Sequence, residues 1–159
     1  MMKRMMLGAA ALALSAGTAS AEYSITILHT NDFHDRFEPI SRFNSGCGED
    51  DNAEGKCFGG APRMVTAIEA AKERNDNWLL LDAGDQFQGT LFFQYYGGDV
   101  QAEMMNKLGY DAMAVGNHEF NNGPEGLAGF VEKVDFPVLM ANADLSGANV
   151  LGGLIEKSV

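Results

Sequence analysis

Cationic side chains are scarce: 11 Lys and Arg stand against 22 Asp and Glu, and the formal net charge is −11. Such a field repels nucleic-acid backbone and anionic lipid, which argues against both as partners. Cysteine is confined to Cys47 and Cys57, and histidine to His29, His34 and His118. Two thiols with no nearby His are too few ligands for a closed structural zinc site. Long apolar runs are missing too. The longest, residues 7–14, is too short to span a bilayer. There is no internal repeat and no low-complexity segment after the first 21 residues. What is present, 46% hydrophobic and 21% charged residues in a chain of 159, excludes a disordered polymer and suffices for one domain with a core.

The first 21 residues read as a secretory signal. Lys3 and Arg4 give a positive start, Leu7 to Leu14 an apolar centre, and Ala19-Ser20-Ala21 an A-x-A cleavage site. The mature chain is then expected to begin at Glu22 and to be exported, periplasmic or secreted, with no membrane attachment once the signal is removed. In an exported chain, Cys47 and Cys57 read as a disulfide within a long irregular loop, residues 43–60. The Glu49-Asp50-Asp51 run between them reads as solvated surface, with a calcium site as the alternative.

Apolar periodicity alternates between two patterns. Ser24 to His29 alternates as a strand, and Trp78 to Leu81 is a continuous apolar run suited to a strand covered on both faces. Further strands run up to Val115 and over Phe136 to Met140. Between them lie helical patterns: Pro62 onward with Met64, Val65, Ile68 and Ala71; Asp99 to Gly109 with Val100, Met104, Met105 and Leu108; and Pro124 onward with Leu127, Phe130, Val131 and Val134. Strands alternating with helices imply an α/β fold of largely parallel strands with right-handed crossovers.

Three of the strand ends carry polar clusters. The most concentrated is Gly116-Asn117-His118-Glu119-Phe120-Asn121-Asn122-Gly123, where Gly116 breaks an apolar run and an amide, an imidazole and a carboxylate follow in a row. Read alone it is also compatible with a polar loop and a capping Asn. Thr30-Asn31-Asp32-Phe33-His34 and Asp82-Ala83-Gly84-Asp85 end the first two strands. Asp32 and His34, one residue apart, offer the oxygen and nitrogen that suit Zn²⁺ or Mn²⁺. A site that takes an anionic substrate in so acidic a chain also calls for local cationic charge. His29, inside its strand, reads as a hydrogen-bonded core histidine. Asp35, Arg36 and Glu38 read as a solvated loop, and Asp82 as a loop support. Gln86, Gln88, Gly89 and Thr90 are expected to line the site. Phe92, Phe93, Tyr95 and Tyr96 are expected to pack in the core, with base stacking as the alternative.

Together the segments Ile27-Leu28-His29-Thr30-Asn31-Asp32, Leu80 to Thr90 and Gly116 to Phe120 resemble the calcineurin-like metallophosphoesterases, in the wording of their 5′-nucleotidase branch. The resemblance covers about residues 24–145. It implies part of a four-layer αββα sandwich, with residues 22–159 forming the N-terminal part of a metallophosphoesterase domain. Two further histidine ligands and a substrate domain would come from later sequence. It also implies two divalent ions, Zn or Mn. Asp32 and His34 would hold one ion, Asp85 would bridge, and Asn117 would hold the second. His118 would stabilise charge on phosphoryl oxygens or protonate the leaving oxygen. The implied reaction is hydrolysis of phosphomonoesters, most typically nucleoside 5′-monophosphates, with nucleotide sugars and cyclic nucleotides as neighbouring substrates. A thiosulfate-type hydrolase on the same metal domain, and an inactive exported metal-binding module, are the competing readings. One departure stands out: relatives commonly carry Asp where this chain has Asn121.

Overall fold

A computed structural model describes residues 22–159, so the signal reading of residues 1–21 lies outside the described residues. Four strands, β1 (Thr26–Thr30), β2 (Trp78–Asp82), β3 (Ala112–Ala114) and β4 (Val138–Leu139), form one sheet in the order β1-β2-β3-β4. Every adjacent pair is parallel, with Leu28 opposite Leu80, Asp82 opposite Met113 and Met113 opposite Val138. This is the α/β architecture expected from the alternating patterns. The connections are α2 (Ala61–Glu73) between β1 and β2, α3 (Leu91–Tyr96) and α4 (Asp99–Leu108) between β2 and β3, and α5 (Gly123–Val131) between β3 and β4.

Side chains alternate across a strand, so the register divides the sheet into two faces. Leu80, Met113 and Val138 lie on one face and are buried with Ile68, Met105, Leu108, Leu127 and Phe130 of α2, α4 and α5. Ile27, His29, Leu79, Leu81, Ala114 and Leu139 share the other face by register, and none of them belongs to that core. Ile27 is 57% exposed. His29 is exposed beside it, which corrects the expectation of a core histidine. The strand period placed it on the face that the helices do not cover.

Several local elements differ from the sequence reading. The irregular loop holds a five-residue helix, α1 (Glu49–Ala53), and an antiparallel bridge in which Ile40 and Phe58 exchange backbone hydrogen bonds of 2.9 and 2.8 Å. The structure joins Cys47 to Cys57 across this loop, their Cα atoms 5.9 Å apart. The aromatic run forms a helix, α3, capped by Thr90, whose hydroxyl accepts the Phe92 N–H at 3.2 Å. Of its rings Phe93 is buried, whereas Tyr95 and Tyr96 are exposed. Asp99 is the first residue of α4 rather than its cap; Gly98 caps it, and Asp99 pairs with Lys133 across to the loop after α5. Gln101 and Ala102 join Met105 and Leu108 on the buried face of α4. The glycine-rich tail also has structure: Leu151 is fully buried, and the Met140 N–H donates to the Glu156 carbonyl at 2.8 Å, so the tail pairs beside β4.

Candidate functional site

In a parallel sheet the carboxyl ends of all strands lie at one edge, and the loops leaving them meet there. Here the loop after β1 runs against the loop after β2. The Asp32 N–H donates to the Gly84 carbonyl at 2.9 Å, the His34 N–H to Asp85 at 3.2 Å and the Asp35 N–H to Gln86 at 3.1 Å. This pairing requires left-handed backbone at Asp32, His34, Asp35, Asp85 and Gln88, with φ between 50° and 64°. Each such non-glycine residue costs roughly 1–2 kcal/mol, and strain of this kind gathers at functional sites.

The loop after β3 closes on the other two. Gly84 has φ +95°, and a Cβ there would come within 2.5 Å of the Gly116 nitrogen. A Cβ on Gly116 would lie 2.3 Å from an Asp85 carboxylate oxygen. Two glycines are thus required for the backbones to approach so closely.

The side chains converge as a result. One ligating atom from each of His34, Asp85 and His118 lies within 4.8 Å of the others. The His34 and His118 rings meet edge to face, with centroids 5.0 Å apart. His34 Nδ1 faces the carbonyls of Phe87 at 3.0 Å and Gln88 at 2.8 Å, so Nδ1 carries the proton and Nε2 is left as an acceptor. Asp32 sits next to it, its Oδ1 3.7 Å from His34 Nε2, with Oδ2 accepting from Asn31. Asp85 Oδ1 accepts the backbone N–H of His118 at 2.9 Å. Asn121 Oδ1 lies 2.9 Å from His118 Nδ1, which fixes the ring from behind and leaves its Nε2 without that contact. Asn117 is exposed and heads the short 3₁₀ turn His118–Phe120. The cluster thus holds His34, Asp85 and His118, with Asp32 beside it and Asn117 outside it, and its donor set of imidazole nitrogen and carboxylate oxygen fits a borderline divalent cation.

Behind the cluster lies a buried polar layer. Asp82 accepts from Thr30 Oγ1 at 2.6 Å, Gly84 N–H at 2.9 Å and Gln86 Nε2 at 2.7 Å, the supporting role expected of it. Burial raises its pKa to about 6, against the pull of those hydrogen bonds. Tyr110, which shares the Thr30 hydroxyl at 2.7 Å, is pushed up to about 12, again by burial. Glu119 is fully buried and accepts backbone N–H groups of Asp85, Gln86, Phe87 and Gly116 at 2.9, 2.7, 3.3 and 2.7 Å. Hydrogen bonds to a charged group contribute about 1.5–3 kcal/mol each. The sequence marked Glu119 only as the carboxylate of this stretch and gave no sign of the number of backbone groups it ties.

Asp35 is the clearest correction. Instead of standing in a solvated loop it is fully buried, and neither carboxylate oxygen has a hydrogen-bond partner among the described residues. Burial raises its pKa to about 7, with the Gln88 backbone and His34 pulling the other way. No periodicity marks this residue; its burial follows from the left-handed turn and from Thr90, whose hydroxyl donates to the Asp35 carbonyl at 2.9 Å.

Comparison with known proteins places this geometry. Residues 25–157 match the family described as calcineurin-like phosphoesterase. The chain is 47% identical over 139 residues to the 5′-nucleotidase of Bos taurus, covering 86% of this chain and 24% of that protein. It is 46% identical over 139 residues to the 5′-nucleotidase of Homo sapiens, with the same coverage of each. Among solved structures, the 5′-nucleotidase precursor of Thermus thermophilus aligns with a TM-score of 0.71 and 41% identity over 83% of this chain and 25% of that one. The NAD nucleotidase of Haemophilus influenzae aligns with a TM-score of 0.67 and 30% identity over 83% of this chain and 23% of that one. The chain therefore spans about a quarter of the length of the relatives it matches. Strand-end loops locked by Gly84 and Gly116, the His34–Asp85–His118 cluster and these identities lead to one conclusion: the chain belongs to the calcineurin-like phosphoesterase family.

Proposed function

We propose that this chain carries metal-ligating and catalytic groups of an exported phosphomonoester hydrolase acting on nucleoside 5′-monophosphates. The observation that carries the reading is the approach of His34, Asp85 and His118 to within 4.8 Å at the carboxyl edge of the sheet, in a chain 47% identical to a 5′-nucleotidase. Asp32 and His34 would hold one divalent ion, Asp85 would bridge and Asn117 would hold a second, with Zn or Mn as the ions. When bound, the ions supply Lewis acidity for the phosphoryl oxygens and lower the pKa of water.

The chain's own residues do the rest. The Phe87 and Gln88 carbonyls keep His34 Nδ1 protonated and Nε2 free to ligate. The His118 N–H fixes one oxygen of Asp85 and leaves the other to bind. His118 Nε2 is held where it can donate to a phosphoryl oxygen or to the leaving oxygen. Cys47 and Cys57 form the disulfide of an exported protein, so the unreduced protein is expected to titrate no free thiol.

The test pairs binding with turnover. Calorimetry with Mn²⁺ is expected to show binding that Asp85→Ala abolishes. Residues 22–159 alone are expected to be inactive; joined to the later ligands and substrate domain and loaded with Mn²⁺, the protein is expected to release phosphate from nucleoside 5′-monophosphates before nucleotide sugars or cyclic nucleotides, and to leave thiosulfate esters intact. Mn²⁺ binding unaffected by Asp85→Ala, or turnover of the thiosulfate ester alone, would refute the reading.

A further inference from the structure

We propose that Glu119 is the positioning residue that sets the site's metal affinity, by holding the Asp85 loop and the Asn117-His118 loop at one separation. The inference rests on the metal-site reading above and concerns a residue that touches no substrate or ion in it. Oε2 of Glu119 accepts both the Asp85 N–H at 2.9 Å and the Gly116 N–H at 2.7 Å. One oxygen atom thus spans the backbone of the bridging ligand and the backbone just before Asn117. Oε1 accepts Gln86 N–H at 2.7 Å and Phe87 N–H at 3.3 Å, which orients the whole turn that also supplies the carbonyl at His34 Nδ1.

The latch is reciprocal. The Asp85 carboxylate accepts the His118 N–H at 2.9 Å, so each loop sends a carboxylate into the backbone of the other. Glu119 makes no ion pair with a cationic side chain among the described residues. Its charge is met by converging backbone N–H dipoles alone. The carboxylate is fully buried and lies so close to Gly116 that a Cβ there would come within 2.7 Å of its Oε2. Ligand constellations tolerate displacements of only about 0.5 Å, and here one methylene of the Glu119 side chain decides whether a single carboxylate reaches both loops.

Two variants separate position from charge. Glu119→Asp keeps the charge but is one methylene too short to reach both loops. Glu119→Gln keeps the length but replaces one acceptor oxygen by a donor. The measurement is Mn²⁺ titration calorimetry on the folded fraction, with metal-free thermal unfolding recorded in parallel and Asp85→Ala as the control. Both variants are expected to bind Mn²⁺ at least tenfold more weakly than the parent. Parent-like affinity in either folded variant overturns the proposal, even where its melting temperature has fallen, because a merely structural role lowers stability and leaves the affinity of the folded protein alone. Should neither variant fold, hydrogen exchange in the parent decides: Mn²⁺ is expected to slow exchange at the Gln86 and Gly116 amides, and unchanged rates overturn the proposal. Parent-like binding by Asp85→Ala would instead sink the metal-site reading itself.

Discussion

At position 121 a single atom separates the amide present here from the carboxylate that the family resemblance led one to expect. Asn121 holds His118 Nδ1 at 2.9 Å, so the ring is oriented as a carboxylate would orient it, but no charge stands behind it. An amide cannot stabilise an imidazolium as a carboxylate does. Asn121→Asp is expected to raise kcat on a nucleoside 5′-monophosphate by on the order of 10- to 100-fold with metal content unchanged. An unchanged kcat would mean that His118 does not work through its neighbour. Asp35 tests burial instead of chemistry. Its folded pKa, about 7, lies above the ordinary value of 3.8, so the folded chain keeps a proton that the unfolded chain releases. The stability it contributes is therefore complete below about pH 4, falls as pH rises and is lost above about pH 7. Metal-free Asp35→Asn should be more stable than the parent at pH 8 by about 1–3 kcal/mol, the usual cost of a buried unpartnered group. The gap should close near pH 4; urea melts at the two pH values measure it.

Among the elements, α2, β2 and α4 are tied by one side chain. Lys72, near the end of α2, donates to the Leu108 carbonyl at the end of α4, and its ammonium lies 4.6 Å from the centre of the Trp78 ring on β2. The contact places a cation at the negative end of a helix and over an aromatic face. Lys72→Met keeps the stem and removes the charge, and should cost about 1–2 kcal/mol in denaturant melts; a loss within error would show that the carbonyl finds water instead. Elements with a strong period were legible beforehand. Ile68, Leu80, Met105, Leu127 and Phe130 are buried as their spacing implied. Helix α3 was not, because its six residues fall short of two full turns and its aromatic content suits several structures. The same limit hid Asp35, whose burial depends on backbone at φ 55° and not on any pattern of neighbours. The candidate site residues were easier to place: Asp32, His34, Asp85, Asn117 and His118 follow the strands closely, where their order in the sequence fixes their place in the fold.

For the molecule as a whole, the two faces of the sheet are unequal. One is sealed by helices; the other presents Ile27, Leu79, Leu81 and Leu139 outside the core. An apolar sheet face beside an open strand edge favours association. Residues 22–159 alone should therefore sediment as oligomers, and Ile27→Lys should shift them toward monomer; a monomeric parent would show that the net charge of this segment, −13 without Lys3 and Arg4, is enough to keep copies apart.

The strand order β1-β2-β3-β4 is also the order in which the chain is made. Every strand after the first pairs with the one made just before it, so no strand has to wait for a partner from further along than the next. Assembly can follow the growing chain, adding one strand and its crossover at a time. The loops mature in the same sequence: Asp32 and His34 meet their backbone partners when Gly84 and Asp85 arrive, and Asp85 gains its latch only when Gly116 and Glu119 follow. The three loops would then be joined while α5 and β4 are still to be added, each paired to backbone as soon as the next turn emerges.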